Sequence, residues 1–515
     1  MKNGVKKFII GVCAVMLTAC AVQGEGSAAP TATASDEPAS GGTYIVRGAG
    51  DPYSFNPDLK VDDWGVVTYQ NIFNRLVKQT VSNEVVGDLA ESWEFSDDGL
   101  TLTFHLHEGV KWHDGEPFSS EDVKWTFDKI RTEGYQSNSF KQLSEITCPD
   151  ENTVVFHLSE PNSGIVATIG WLGTFIMPKH IYDTPDYDWS TNPANFQPVG
   201  TGPFKFAEWT PAQHVVLEAN EEYWDGAPQM KKLTFNFISD TNTALVALET
   251  GEADLAFGTS LSATTFQQAQ QNESLATDST VGNSFYFVNF NSNRISKEVR
   301  QALSYAIDRD AISTLVNEGT GYLGDIPLVE GQEGYTTDIT TYEYNPEKAK
   351  ELLSAAGADG LTLTFYYGES ADNSKLGQAL QSQLANVGVT LELEPVENGT
   401  WWATFEDGNY DVSRGGYPME KANTDSCYYD MFHSTGTFNV SRINNPEIDT
   451  LLDEARTELD SAKRDEIYVQ VNQILTEEAY FIPLYFSASM IVYNKDLQGV
   501  KADSTQNYQY KTMHW

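Results

Sequence analysis

His105 and His107 stand two residues apart, a spacing that puts both imidazoles on one face of a strand, where a pair could bind metal. The alternation of Leu100–Leu106 around them fits a plain strand face better, and no CxxC supports a zinc site of cysteine type. Gly319, Gly321 and Gly324 spell GxGxxG, but the stretch before them reads as a helix. A nucleotide fingerprint needs a strand there, so the segment is read as a loop. GxSxG, the P-loop and HExxH are absent, and no Ser, His and Asp arrangement suggests itself. The chain reads as a binder of its ligand, not an enzyme, and calls for no cofactor.

The remaining reactive groups are cysteines. Lys2, Lys6 and Lys7 precede the apolar run Phe8–Ala19, which has the length of a signal segment and is too short to span a bilayer. The run ends Leu17-Thr18-Ala19-Cys20, which resembles the lipobox of bacterial lipoproteins: cleavage precedes Cys20 and the thiol then carries lipid. Residues 1–19 are expected to be a signal peptide and 20–42 a flexible, lipid-anchored linker of Ala, Ser, Thr, Pro, Gly and acids. No later segment has the ~18 apolar residues of a spanning helix. The chain is therefore expected at a cell surface or in a periplasm, held to the membrane by lipid alone. Cys148 and Cys427 remain and are read as separate thiols.

With 515 residues the chain exceeds one ordinary core, so several domains are expected. Its 11 Trp, 25 Tyr and 26 Phe suit well-packed interiors. Against 73 acidic residues stand 32 basic ones, a net charge of −41 spread along the chain. Such a surface repels nucleic acid and anionic lipid, which excludes both as partners.

Strands are expected at Gly42–Val46, Leu100–Leu106, Thr153–Leu158, Val215–Leu217 and Leu361–Tyr367. A helix is expected to open after Ser119 and another to run over Lys297–Val316. A third opens at Asn345-Pro346 and closes at Gly357, with two more over Gln378–Val387 and Ile448–Glu478. Strands and helices in alternation imply α/β layers.

Five motifs then stand in order. The first runs from Asp88 through Trp93 and Gly99 to Gly109, His113-Asp114-Gly115, Pro117 and Asp122-Val123. The second is Gly200-Thr201-Gly202-Pro203-Phe204 with Tyr223-Trp224. The third is Val299-Arg300 through Ala306-Ile307-Asp308-Arg309, the fourth Tyr344-Asn345-Pro346 to Ala349, and the fifth Ile482-Pro483 with Tyr485. Together they resemble the extracellular solute-binding proteins of family 5, the receptors of peptide and nickel ABC importers. The physical reading of these motifs is structural: Gly109 and Gly115 suit turns, and Gly200–Pro203 a loop into a strand. The resemblance implies a two-lobed, periplasmic-binding-protein-like α/β fold of type II, with an extra subdomain and a cleft between the lobes. Lobe one is expected over 43–282 plus 482–515, with the subdomain at about 74–196, and lobe two over 283–481. The implied function is capture of short peptides, longer than two residues, by a monomer that hands them to an ABC permease and ATPase complex. An oligosaccharide or a metal chelate in the same fold, or peptide sensing without transport, is the alternative.

The resemblance also implies site residues. Peptide-binding members carry an aromatic and, three residues later, an acid that pairs with the ligand's amine. Here these are Tyr417 and Glu420, with Asp425 the rival acid. Dipeptide-binding members place an Arg after the strand matching 361–367, but this chain reads Tyr367-Gly368-Glu369, so a pure dipeptide receptor is not expected. Trp401, Trp402 and Phe405 fall on the cleft side of lobe two, and Tyr53, Phe55 and Asn56 follow the first strand toward the cleft. His433 keeps the chelate alternative open.

Overall fold

Among the described residues, sixteen strands carry the architecture. In the first part of the chain they are β1 (Gly41–Val46), β2 (Val77–Gln79), β3 (Val85–Gly87), β4 (Ala90–Phe95), β5 (Thr101–Leu106), β6 (Leu143–Asp150), β7 (Thr153–Leu158), β8 (Phe204–Thr210), β9 (His214–Ala219), β10 (Lys232–Phe237) and β11 (Leu255–Phe257). The second part adds β12 (Leu275–Phe290), β13 (Thr362–Gly368), β14 (Thr390–Val396), β15 (Val412–Pro418) and β16 (Phe481–Asn494). This computed structural model describes residues 41–46, 52–60, 63–80, 83–186, 188–258, 261–420, 422–504 and 510–515. The expected signal segment and Cys20 lie outside them. The expected linker does too, except at its end, where Gly41 and Gly42 already pair in β1 with Lys232 and Leu233.

Ten strands form one mixed sheet in the order β14-β13-β15-β12-β16-β11-β1-β10-β9-β8. The long antiparallel pair β12 and β16 runs through its middle. The second half of β12 pairs with β15, and the last residues of β16 pair with β11. Each of the two strands thus belongs to both halves of the molecule. Buried clusters divide accordingly. Two lie in the first part of the chain and take in Met490, Ile491 and Val492. Two cover opposite faces of the second part. Ile482, Leu484, Tyr485 and Phe486 pack in the second-part clusters. Beyond them the ladder breaks: Val281 faces Ala488 and Phe285 faces Phe486, leaving Gly282–Ser284 opposite Ser487. A Cβ on Gly282 would lie 2.8 Å from the Ser487 carbonyl oxygen as well as against its hydroxyl, so glycine is required at this crossing.

A separate antiparallel sheet, β4-β5-β7-β6, with the helix Ser120–Glu133 beside it, falls within the expected subdomain. Ser119 caps that helix as expected, and Asp122 Oδ2 accepts the Ser119 N–H at 3.0 Å. Gly109 and Gly115 adopt φ of +75° and +97°, as their turns require. Two motifs prove to be one device. His113 Nδ1 accepts the Gly200 N–H at 3.2 Å, so its Nε2 donates to Gly202 O at 2.9 Å. Burial lowers the His113 pKa to about 4, which keeps the ring neutral for this double role. Gly200 and Gly202 press on the Ile72 carbonyl, 1.8 and 2.6 Å from where a Cβ would stand.

Two expected helices are each a pair. Lys297–Val316 divides into Lys297–Tyr305 and Arg309–Asn317, because Asp308 caps the second by accepting the Ala311 N–H. Ile448–Glu478 lies within Pro446–Thr457 and Ser461–Glu478, with Asp460 in the same role. The helix expected over Gln378–Val387 starts earlier, at Ala371 behind the cap Ser370. The helix behind Asn345 runs Pro346–Ala355, with Gly357 beyond its end at φ +69°.

Candidate functional site

β15 delivers the chain to the site. Its pairing with Phe287 puts Gly415 flush on that ring, and Gly416 meets Tyr286 in the same way. Near the end of the strand, Tyr417 turns its hydroxyl to Asp430 Oδ2 at 2.7 Å. Its ring meets Phe438 edge-on at 5.0 Å, and Phe438 stacks on Trp402 at 5.5 Å. Burial drives the Tyr417 pKa far up, so the phenol stays neutral. Trp402 is 38% exposed and borders a depression of about 280 Å³, lined also by Asn293, Thr437, Asn439 and Arg442. Trp401 is half-buried against the second-lobe core. The side chain of Phe405 lies outside the described residues.

Glu420 follows, half-buried. Its N–H donates to the buried Cys427 sulfur at 3.2 Å, and its Oε2 accepts from Asn423 Nδ2 at 3.3 Å. Among the described residues no Lys, Arg or His forms an ion pair with it. Burial pushes its pKa up to about 7; the Asn423 hydrogen bond pulls against this, and Asp425 and Asp430 add repulsion. Asp425 is in the opposite situation. Arg456 grips it through Nε and Nη2 at 3.0 to 3.3 Å, so the rival acid is already paired within its own lobe. Burial raises the Asp425 pKa, and Arg456 works against that rise.

The first-lobe candidates are placed differently. Phe55 and Asn56 are 0% exposed. Phe55 packs on Phe206 and Trp209 at 5.2 and 5.7 Å. Asn56 Nδ2 donates to Asn195 Oδ1, and Asn56 Oδ1 accepts the Asp58 N–H, both at 3.1 Å. The expected cleft-wall residues Phe55 and Asn56 thus turn inward, onto the rings of Phe206 and Trp209 and the amide of Asn195. Tyr53 is 61% exposed, with the Lys60 ammonium 4.8 Å above its ring.

Arg414 carries a signal the sequence reading passed over. β13 and β15 pair in parallel, Phe365 with Val412 and Tyr366 with Ser413, so Arg414 comes level with Tyr367. A strand lacking the expected Arg at its own end thus has one on its neighbour. The guanidinium lies 4.4 Å over the Tyr286 ring, close to the Tyr485 hydroxyl, and forms no ion pair with a carboxylate among the described residues. The clue was an Arg three residues before the Tyr417 aromatic, but only strand order reveals its neighbour.

Cys148 and Cys427 are free thiols. The His433 ring stacks on Tyr429 at 4.2 Å, and its Nδ1 lies 2.7 Å from Thr435 Oγ1. Among the described residues no group of three or more His, Cys, Asp or Glu could hold a metal ion. Among them, too, no helix is long and apolar enough to cross a membrane.

Comparison with known proteins places this geometry. The pattern of the bacterial extracellular solute-binding proteins, family 5 (middle region), matches residues 84–439. The oligopeptide-binding protein AppA of Bacillus subtilis (strain 168) is 28% identical over 525 residues, covering 96% of this chain and 95% of that one. The structure of B. subtilis AppA in complex with a nonapeptide superposes with a TM-score of 0.72 at 27% identity, covering 93% of this chain and 99% of that one. The periplasmic binding protein DppA of Helicobacter pylori, in complex with the peptide STSA, does so at 0.74 and 26% identity, covering 92% and 98%.

Proposed function

The chain belongs to the bacterial extracellular solute-binding proteins of family 5, and on that premise we propose that it captures short peptides between its lobes and delivers them to an ABC importer. The observation that carries the reading is Glu420, a half-buried carboxylate that lacks a cationic partner among the described residues. An ionised carboxylate withdrawn from water is costly unless a cation meets it, and a peptide's α-ammonium is such a cation. The relatives that bind an oligopeptide, a nonapeptide and the peptide STSA support the same ligand class.

Arg414 extends the reading to the other end of the ligand. A guanidinium held over an aromatic ring and free of carboxylates suits a peptide's terminal carboxylate. It stands six positions before Glu420, about 20 Å of extended chain at most, so both groups lie within reach of the two ends of a short peptide. Binding to both lobes favours closure, because only the closed form makes both sets of contacts. The rest of the reading follows from the family and the N-terminal residues: lipid on Cys20 holds a monomer to the membrane, beside a permease and its ATPase. Binding and release, not turnover, are its work.

The test is native mass spectrometry of the chain purified without refolding, followed by calorimetry with the peptides found. Bound masses that fragment as peptides are expected. Glu420→Gln should then weaken their binding by about a hundredfold, the scale of stranding one charge of a buried pair. Unchanged affinity in the variant, or cargo that fragments as a sugar or a chelate, overturns the reading.

A further inference from the structure

The lobes meet at a seam beside Glu420, and its hydrogen bonds are specific. From the first lobe comes the segment Asn162–Thr168. Ser163 donates its N–H to Arg456 O at 2.9 Å and its hydroxyl to Ala455 O at 3.1 Å. These two carbonyls end the helix Pro446–Thr457, where carbonyls lack partners within the helix. The first lobe therefore caps a helix of the second. Asn162 Oδ1 accepts the Gly164 N–H at 3.0 Å, which holds the segment in its turn before it meets the other lobe. Gly164 then passes so close that a Cβ would lie 2.8 Å from Asn423 Oδ1 and 3.4 Å from Asp425 Cβ.

Asn423 joins this seam to the acid. Its Oδ1 accepts the Ser426 N–H and caps the helix Thr424–Phe432, which fixes the side chain so that Nδ2 is the donor. The two protons of Nδ2 are divided. One goes to Glu420 Oε2 at 3.3 Å and the other to Thr168 Oγ1 of the first lobe at 2.9 Å. Asn423 is 3% exposed, so neither proton has water as a ready alternative.

We propose that Asn423 is a positioning residue that couples ligand capture at Glu420 to lobe closure, with Ser163–Thr168 as the latch. This rests on the reading of Glu420 as the amine clamp. A ligand ammonium keeps Glu420 ionised, and an ionised oxygen accepts more strongly from the Asn423 amide. That bond holds the amide where its second proton meets Thr168. In the open form Thr168, Ala455 O and Arg456 O turn to water, so closure exchanges three water contacts for three fixed bonds. The latch sets how long a captured ligand stays.

The test uses the full-length chain with Thr168→Val, which removes the hydroxyl and keeps the shape, and Thr168→Ser, which restores the hydroxyl. Hydrogen–deuterium exchange over residues 159–170 reads the latch without ligand, because the Ser163 N–H is itself a cross-lobe donor. The dissociation rate of tetra-alanine reads it with ligand. Thr168→Val should speed both by about fivefold, the worth of one neutral hydrogen bond, and Thr168→Ser should return both toward the native values. Because the Thr168 hydroxyl also donates to Gly164 O at 3.1 Å within its own segment, Ser163→Ala, which removes only the cross-lobe bond to Ala455 O, provides a second variant with the same expected direction. Unchanged exchange in Thr168→Val and Ser163→Ala overturns the latch. If tetra-alanine binds no form of the chain, the peptide reading falls, and the exchange of the ligand-free chain still decides the latch.

Discussion

Two polar regions were expected to face the ligand, and the structure treats them oppositely. In the first lobe, Ser54, Asn56 and Asp58 spend their hydrogen bonds within the protein, on one another, on Asn195 and on the Phe175 N–H. In the second lobe, Arg414 and Glu420 lie where charges are expensive, yet neither has a charged partner among the described residues. Both regions are rich in polar atoms, so composition does not separate them. What separates them is whether a charge is left to be met: Asn56 is committed within the protein, and Asp58, with Oδ2 unbonded, is pushed by burial toward its neutral form. A committed group specifies the fold, whereas a buried charge without a partner is stable only when something else arrives.

The largest effect expected from this contrast is a pH dependence of binding. Asp425, Asp430, Asn423, Cys427 and Tyr417 surround Glu420. Burial pushes the Cys427 and Tyr417 pKa values upward, so neither ionises in the window that matters. Arg456 already holds Asp425. Burial raises the Glu420 pKa to about 7 in the free protein. Below that pH the carboxyl is neutral, and an ammonium must displace its proton. Affinity should therefore rise with pH up to about 7, falling roughly tenfold for each unit below, and the rise should end near pH 8 as the peptide amine deprotonates. Calorimetry with tetra-alanine from pH 5 to 8 measures it. A flat native profile would remove Glu420 from the site, and Glu420→Gln should give the flat profile instead.

Asn56→Ala sharpens the other side of the comparison. It removes one of the two donors to Asn195 Oδ1, which keeps the Tyr182 hydroxyl, and strands the Asp58 N–H in a fully buried place. Stability should fall by about 1–3 kcal/mol, seen as a lower urea midpoint, while peptide affinity stays the same. Affinity loss at unchanged stability would return this loop to the cleft wall.

How far these differences could be read in advance depends on distance along the chain. Capping is local: Ser119 and Asn345 were legible because cap and helix lie within a few residues. Asp308 and Asp460 are caps of the same kind, but each sits inside a continuous apolar periodicity, and the pattern hid the break. Asn56 could not be placed because its partner lies 139 residues away. Arg414 needed the knowledge that β15 lies beside β13, which no spacing within either strand discloses. His113 and the Gly200–Gly202 loop were visible as two motifs, yet their joining required the fold. Glu420 and Tyr417 were named through resemblance, and the structure brings them into one neighbourhood with Trp402. The three residues nonetheless differ in what they have left to offer.

Tyr417 makes that last distinction testable, with the smallest expected effect. Its hydroxyl is committed to Asp430 Oδ2, while Oδ1 of the same carboxylate receives the Thr437 and Phe438 N–H groups. Tyr417→Phe removes one donor from a carboxylate that keeps the others, and the ring keeps its contact with Phe438. A loss of about 1 kcal/mol in stability is expected by urea unfolding, as for a single hydrogen bond. Affinity for tetra-alanine should change by less than about threefold, because a hydroxyl spent inside the lobe has nothing to give the ligand. A larger fall in affinity with unchanged stability would mean that the phenol leaves Asp430 for the peptide on closure. Tyr417 would then join Glu420 among the groups that wait for a ligand, and the division between satisfied and waiting residues would depend on the state of the lobes.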